Sequence, residues 1–297
     1  MNIVCVGLAT VDVVQRVDRI PGVDEKAQAM SVDCAAGGPA TNAAVTAAAL
    51  GATVTLVSAV GRHPLSELVR ADLAACRVAL LDATPAASGP PPVSSVAVLA
   101  STGQRTIVSR NAEAVDAAVP SDLDGLVAAA DAVLVDGHHP ALAIAAVRVA
   151  KRAGRPVVAD AGSWRPVFGD LLPSADVVAC SAAFRHPGAE PRDAATAAAL
   201  QAIGVRHIAV THGPEPVRWW SDGRAGTVPV PPVRAVDTAG AGDAFHGALA
   251  VAIAGAGRTV PDLPGALAYA VGVAGIRVAH AGPRAWLADD RLQRLRR

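Results

Sequence analysis

Over most of the chain, short runs of Val, Ile and Ala alternate with longer Ala-rich stretches whose apolar residues recur at helical spacing. The short runs predict buried strands and the longer stretches predict helices covering them. Strands are expected at 3–7, 53–57, 132–135, 157–159, 177–179 and 207–211. Helices are expected over 40–50, 64–75, 140–153, 193–203, 242–254 and 263–278. This order is that of an α/β protein built on a mostly parallel sheet.

Two regions break the alternation. Residues 11–17 and 30–34 flank Arg19-Ile20-Pro21-Gly22, and residues 93–100 and 105–109 flank Ser101-Thr102-Gly103-Gln104. Both read as antiparallel hairpins with alternating faces. Inserted between βα units, the segments 11–34 and 93–111 would form a small sheet serving as a lid over a small-molecule site. Trp219-Trp220, followed by Ser221-Asp222-Gly223, predicts a surface hairpin with one ring on the sheet edge.

Composition narrows the partners. The 297 residues suffice for one large α/β unit, and 1–297 is read as a single domain. At 52% hydrophobic but only 3% aromatic, the core must rely on close helix–sheet packing rather than bulky rings. With 26 basic and 26 acidic residues, net charge is zero, which argues against nucleic-acid and membrane-surface partners. The basic run Arg291, Arg294, Arg296, Arg297 reads as the solvated face and end of a last helix. Cys5, Cys34, Cys76 and Cys180 form no CxxC pair, so neither a zinc site nor a disulfide framework is expected. The first residues read as a strand rather than a signal peptide, and a cytoplasmic setting fits.

The segment from Asp237 to Leu249, Asp-Thr-Ala-Gly-Ala-Gly-Asp-Ala-Phe-His-Gly-Ala-Leu, carries the chemistry. Small residues free backbone N–H groups at a helix start, where the macrodipole favours anions. Asp243 would either cap that helix or take a proton from an attacking hydroxyl while the N–H groups hold a phosphoryl group. Gly37-Gly38 precede Ala40, Thr41, Asn42 and a helix, so backbone can approach a ligand with the Asn42 amide nearby; a plain loop capped by Thr41 is the alternative. Asp12, read as following the first strand, is placed to clamp hydroxyls or to sit in a turn. His138-His139 stand at a strand end without a third metal ligand. No P-loop and no G-x-G-x-x-G after the first strand is present.

On Gly37-Gly38-Pro39-Ala40-Thr41-Asn42-Ala43-Ala44, with Gly51 and Gly61 beyond, and on the block from Asp237 to Ala250, the chain resembles the ribokinase-like, or PfkB, carbohydrate kinases. The resemblance implies a three-layer α/β/α sandwich with a β-sheet lid, ATP and Mg²⁺ as cosubstrates, and γ-phosphate transfer to a sugar hydroxyl. Carried over by position, Asp243 would be the base, with Gly240, Ala241 and Gly242 in the anion hole. Asp12, Gly38, Asn42 and His138 would face the sugar, and Thr211 and Gly213 the nucleotide. Asp237 and Ala239 fall where many members bind a monovalent cation such as K⁺. Ser181 and Phe184 replace the Asn and Glu of the family's Asn-x-x-Glu motif. Ser181 is similar to the ketohexokinase branch, whereas Gly282-Pro283-Arg284-Ala285 looks like the sulfofructose kinase branch. His138 stands where ribokinase has a glutamate, and Lys26 is read as a solvated turn lysine beside Asp24 and Glu25, with reach toward an anionic group as the alternative. A ketose or related furanose is the expected acceptor. A nucleoside kinase and a non-catalytic sugar- or nucleotide-binding regulator are the alternatives. A homodimer through the lid is also expected.

Overall fold

The computed structural model describes residues 1–111, 117–257 and 262–296. The chain opens with β1 (Asn2–Val6) and passes into β2 (Thr10–Val17) and β3 (Ser31–Gly37), which lead to α1 (Pro39–Ala49). Then come β4 (Thr53–Ser58), α2 (Pro64–Ala75) and β5 (Val78–Asp82), followed by β6 (Val93–Leu99), β7 (Arg105–Ser109) and α3 (Leu123–Ala128). Alternation resumes with β8 (Ala132–Val135), α4 (Pro140–Ala153), β9 (Val157–Ala161), α5 (Phe168–Leu171), β10 (Val177–Ser181), α6 (Asp193–Ala202) and β11 (His207–His212). The hairpin of β12 (Glu215–Ser221) and β13 (Arg224–Val228) precedes α7 (Ala241–Gly255), α8 (Leu263–Val278) and α9 (Asp290–Arg294).

Nine strands form one sheet in the order β13-β12-β11-β10-β9-β8-β1-β4-β5. From β11 to β5 every neighbouring pair is parallel, whereas β11–β12–β13 is an antiparallel edge. One core cluster lies between the sheet and α1, α2, α7 and α8; the other lies under α3 to α6. The result is three layers. After β1 the chain builds outward to β4 and β5, then returns to the other side of β1 with β8. The carboxyl ends of β1 and β8 therefore mark the switch point at which such sheets open a crevice.

The alanine bias has a packing consequence. A Cβ on Gly247 of α7 would sit 2.4 Å from the Ala43 carbonyl oxygen of α1, so these two backbones meet almost directly. Ala40, Ala43, Ala44, Ala244 and Ala248 are all buried at this contact or beside it.

The remaining four strands form a second sheet in the order β3-β2-β6-β7, with β2 and β6 parallel and both outer pairs antiparallel. Its turn between β6 and β7 rests on the main body: Thr238 donates from N and Oγ1 to the Gly103 oxygen at 3.2 and 3.0 Å. Arg105 Nη1 donates back to the Thr238 oxygen at 3.0 Å.

Several boundaries differ from the sequence expectation. β2 starts at Thr10, with three residues between it and the end of β1, so Asp12 lies in the strand expected at 11–17 and not in a turn after the first strand. β3 continues to Gly37 because its last three residues are buried. The half-exposed edge strand β5 was not anticipated, since its run Val-Ala-Leu-Leu-Asp lacks flanking turn signals. Trp219 is buried on β12, one strand in from the β13 edge, within the hairpin that the sequence reading expects. The basic run ends on the short α9, and Arg297 lies outside the described residues. Among the described residues no helix is long and apolar enough to cross a membrane.

Candidate active site

A cleft of about 420 Å³ opens between the smaller sheet and the carboxyl ends of the main sheet. Its base is the start of α7. Gly240 precedes that helix in the left-handed region at φ 69°, which a side chain would strain, and no side chain caps the helix. The first-turn N–H groups of Gly242 and Asp243 therefore have no intrahelical acceptor and lie at the positive end of the macrodipole. Asp243 is not their cap. Its Oδ2 accepts from Asn42 Nδ2 at 2.8 Å. Burial pushes its carboxyl above the usual range, against the Asn42 hydrogen bond and the nearby His246 and Arg105 side chains.

A chain of polar contacts holds this carboxylate in place. Asn42 Oδ1 accepts from Arg284 Nη1 at 3.3 Å. Arg284 Nη2 donates to Asp72 Oδ2 at 2.7 Å and to the Ala36 oxygen at 2.6 Å, tying the tail after α8 to α2 and β3. Behind the opposite wall, the buried Asp136 accepts N–H bonds from Leu8 (2.9 Å), Ala40 (3.1 Å) and His138 (2.9 Å). Burial alone would raise this carboxyl, but His138 and these bonds outweigh it and hold it at about 2. One carboxylate thus fixes the β1–β2 turn and the start of α1 together.

Two further groups sit beside Asp243. His246 presents Nδ1 to the Gly242 oxygen at 2.7 Å and Nε2 to the Ala179 oxygen at 3.2 Å. Both contacts are hydrogen bonds only if both nitrogens carry protons. Asp160 Oδ2 lies 3.3 Å from the same Nδ1. Burial pushes Asp160 up to about 6, with His246 opposing and Asp243 adding to the shift.

Of the residues singled out from sequence, Asp12, Gly38, Asn42, Thr211, Asp237, Ala239, Gly240, Gly242 and Asp243 all line this one cleft. Asp12 faces it from β2, accepting from Thr10 Oγ1 at 2.5 Å, and burial raises its carboxyl. Gly38 has φ 97°, and a Cβ there would lie 2.3 Å from the Leu8 oxygen. Thr211 stands where the β11–β12 register shifts, a bulge that re-aims the strand at the cleft. Ala241, at the start of α7, is not among the lining residues, nor is Gly213, which turns the β11–β12 hairpin at φ 62°. His138 is also absent from the wall: its ring is buried, with Nδ1 3.2 Å from Asp136 Oδ1. Asp237 lies at the cleft but is paired with Arg277, Nη2 to Oδ2 at 3.3 Å. Lys26 is exposed and away from the cleft.

At the departed Asn-x-x-Glu position, Ser181 Oγ donates to the Gly162 oxygen at 2.6 Å. Phe184 is buried among Trp164 and Phe168, with ring centroids 5.8 and 6.0 Å away, so no acidic group can reach the cleft from there.

Sequence reasoning missed Arg105, Asp160, His246 and Arg277, and gave Arg284 no place in the site, yet all five line the cleft. One carried a visible signal: Arg277 is the sole charged residue in α8, and a lone charge in an apolar helix marks a buried partner.

The family model of the pfkB family carbohydrate kinases matches residues 1–290. The ATP-dependent ribose-1-phosphate kinase of Halopiger xanaduensis is 29% identical over 296 residues, covering 96% of this chain and 94% of that protein. The ribokinase of Arabidopsis thaliana is 28% identical over 266 residues, 84% of this chain and 70% of that one. A candidate ribokinase of known structure from Agrobacterium tumefaciens matches with a TM-score of 0.85 at 26% identity, covering 99% of this chain and 97% of the other. The three layers and separate small sheet are therefore those of the ribokinase-like fold.

Proposed function

This chain belongs to the pfkB family of carbohydrate kinases, and we propose that it transfers the γ-phosphate of ATP to a hydroxyl of a small ketose or furanose-type sugar, with Asp243 as general base. One observation carries the reading: a half-buried carboxylate and an uncapped helix start open onto the same cleft. A carboxylate raised above its usual range is a better proton acceptor, and free N–H groups stabilise the charge that builds on the transferring phosphoryl. The ribose chemistry named for two relatives supports the furanose end of the acceptor class.

In this reading the smaller sheet is a lid, and Asp12 on β2 and Gly38 at the start of α1 hold the sugar hydroxyls. Asn42 orients Asp243 as well as the sugar, since its amide already donates to the carboxylate. ATP lies along Thr211 and the β11–β12 turn at Gly213, and its γ-phosphate meets Gly240, Ala241 and Gly242. Arg105, which enters from the lid and spends only Nη1 on Thr238, adds positive charge over the phosphates.

Bound Mg²⁺ would neutralise the phosphate oxygens during transfer. Of the four carboxylates that line the cleft, Asp243 is assigned as the base, Asp237 is committed to Arg277 and Asp12 sits on the lid, so Asp160 is the group that would hold the ion through water.

A coupled ADP-release screen over ketoses, pentoses, ribose-1-phosphate and nucleosides tests the reading. Sugar-dependent ADP release is expected. Release only with nucleosides would assign a nucleoside kinase, and no release with any acceptor would leave a binding regulator, the reading that Phe184 in place of an acidic residue favours.

The lid's outer face exposes Met30, Val32 and Val108, and a homodimer through this face is part of the proposal. Light scattering should give twice the chain mass; a monomer at micromolar concentration contradicts it.

A further inference from the structure

The described residues beside Asp237 do not fit a potassium ion. The Asp237 side chain is 1% exposed and both its oxygens are in use. Oδ1 accepts from the Ala239 N–H at 2.9 Å, and Oδ2 accepts from the Gly282 N–H at 3.1 Å and from Arg277 Nη2 at 3.3 Å. Arg277, itself 4% exposed, comes from the last turn of α8 and also donates from Nη1 to the His280 oxygen at 3.1 Å. One guanidinium therefore bridges a carboxylate and a backbone carbonyl, the kind of oxygen set that would otherwise hold a weakly hydrated monovalent cation. A second cation there would meet a like charge inside a poorly screened interior.

We infer that Arg277 is the built-in replacement for the monovalent cation, a positioning residue that holds positive charge beside the Gly240–Asp243 turn and makes the protein indifferent to potassium. The geometry sets the charge at the right place. A Cβ built on Gly240 would be 3.7 Å from Arg277 Nε and 3.7 Å from Asp243 Oδ2, so the guanidinium lies against the turn that faces the cleft. Arg277 also lines that cleft. Burial lowers the Arg277 pKa and Asp237 opposes the shift; arginine stays a cation in either case. The inference rests on reading this turn as the anion hole.

The test is a set of thermal melts in potassium, sodium and choline chloride at equal ionic strength, with initial rates in the same buffers. The wild-type melting temperature should not depend on which cation is present, and rates should differ by less than about fivefold, the lower end of ordinary coupling between sites. A potassium-specific rise in melting temperature, or activation beyond that limit, overturns the inference. Arg277→Ala should lose about tenfold or more in turnover. Guanidinium or potassium ion should restore part of that turnover and raise the variant's melting temperature, and Arg277→Lys should retain more activity than Arg277→Ala. A folded Arg277→Ala that responds to neither ion overturns the inference as well. Should that variant fail to fold, the wild-type cation profile decides alone. If no acceptor is phosphorylated in any salt, the kinase reading fails while the melts still judge Arg277.

Discussion

Asp160 and Asp243 are neighbouring carboxylates whose environments differ, and that difference sets the pH behaviour of the site. Burial lifts both and His246 opposes both; Asp243 also accepts the Asn42 hydrogen bond, whereas Asp160 is pushed up to about 6. As pH falls through 6, Asp160 gains a proton and can no longer hold a metal ion through water. The Mg²⁺ concentration for half-maximal rate should therefore rise below pH 6. In Asp160→Asn it should be high at every pH, and a wild-type-like Mg²⁺ curve in that variant would remove Asp160 from the metal's surroundings. At this scale the sequence was legible only where motif residues sit close together. Gly240, Gly242 and Asp243 lie within one turn, whereas Arg284 meets Asp72 from 212 positions away. No local pattern announces such a pair.

Elements meet the site through backbone contacts as much as through side chains. The β6–β7 turn docks on Thr238, two residues before Gly240, so the position of the lid and the shape of the helix start are mechanically linked. Arg105→Ala should cut kcat/KM by about 10²-fold, the size expected when reacting groups shift by roughly an ångström. Steady-state kinetics with sugar and ATP each varied would show it, and an unchanged kcat/KM would deny Arg105 a part in the closed site. The α1–α7 contact is the other constraint. Gly247→Val would force the two helices apart at the Ala43 oxygen and should cost roughly 3 kcal/mol or more in urea unfolding. Helices and strands were legible because their periods are local, and the strand expected at 11–17 is β2. The parallel pairing of β2 with β6 was not, because it joins two hairpins about 80 positions apart and leaves no mark in either one's own pattern.

At the scale of the whole molecule, the switch between β1 and β8 decides where the cleft can be, and Asp136 fastens it. This carboxylate falls from an ordinary value of 3.8 to about 2 in the folded protein. Its contribution to stability is therefore complete above about pH 4 and is lost as pH falls toward 2. Asp136→Asn should be less stable than wild type by about 1–3 kcal/mol at pH 7, the cost of leaving a buried N–H group without its acceptor. The gap should narrow below pH 3 in urea melts, and a gap independent of pH would mean the charge is not what matters. The parallel sheet and its helix layers could be read from alternation alone. The placing of β8 beside β1 could not, since a strand order follows from packing and chain crossovers that leave no mark in local composition.

The most direct measurement is single-turnover phosphoryl transfer by Asp243→Asn, with ATP and sugar binding measured by calorimetry on the same sample. The amide keeps the shape and the contact with Asn42 but cannot accept the hydroxyl proton. Binding within a few-fold of wild type, an unchanged melting curve and transfer slowed by about 10³-fold are expected. Transfer at a near-wild-type rate in a folded, ligand-binding variant would contradict the assignment of Asp243 as the base.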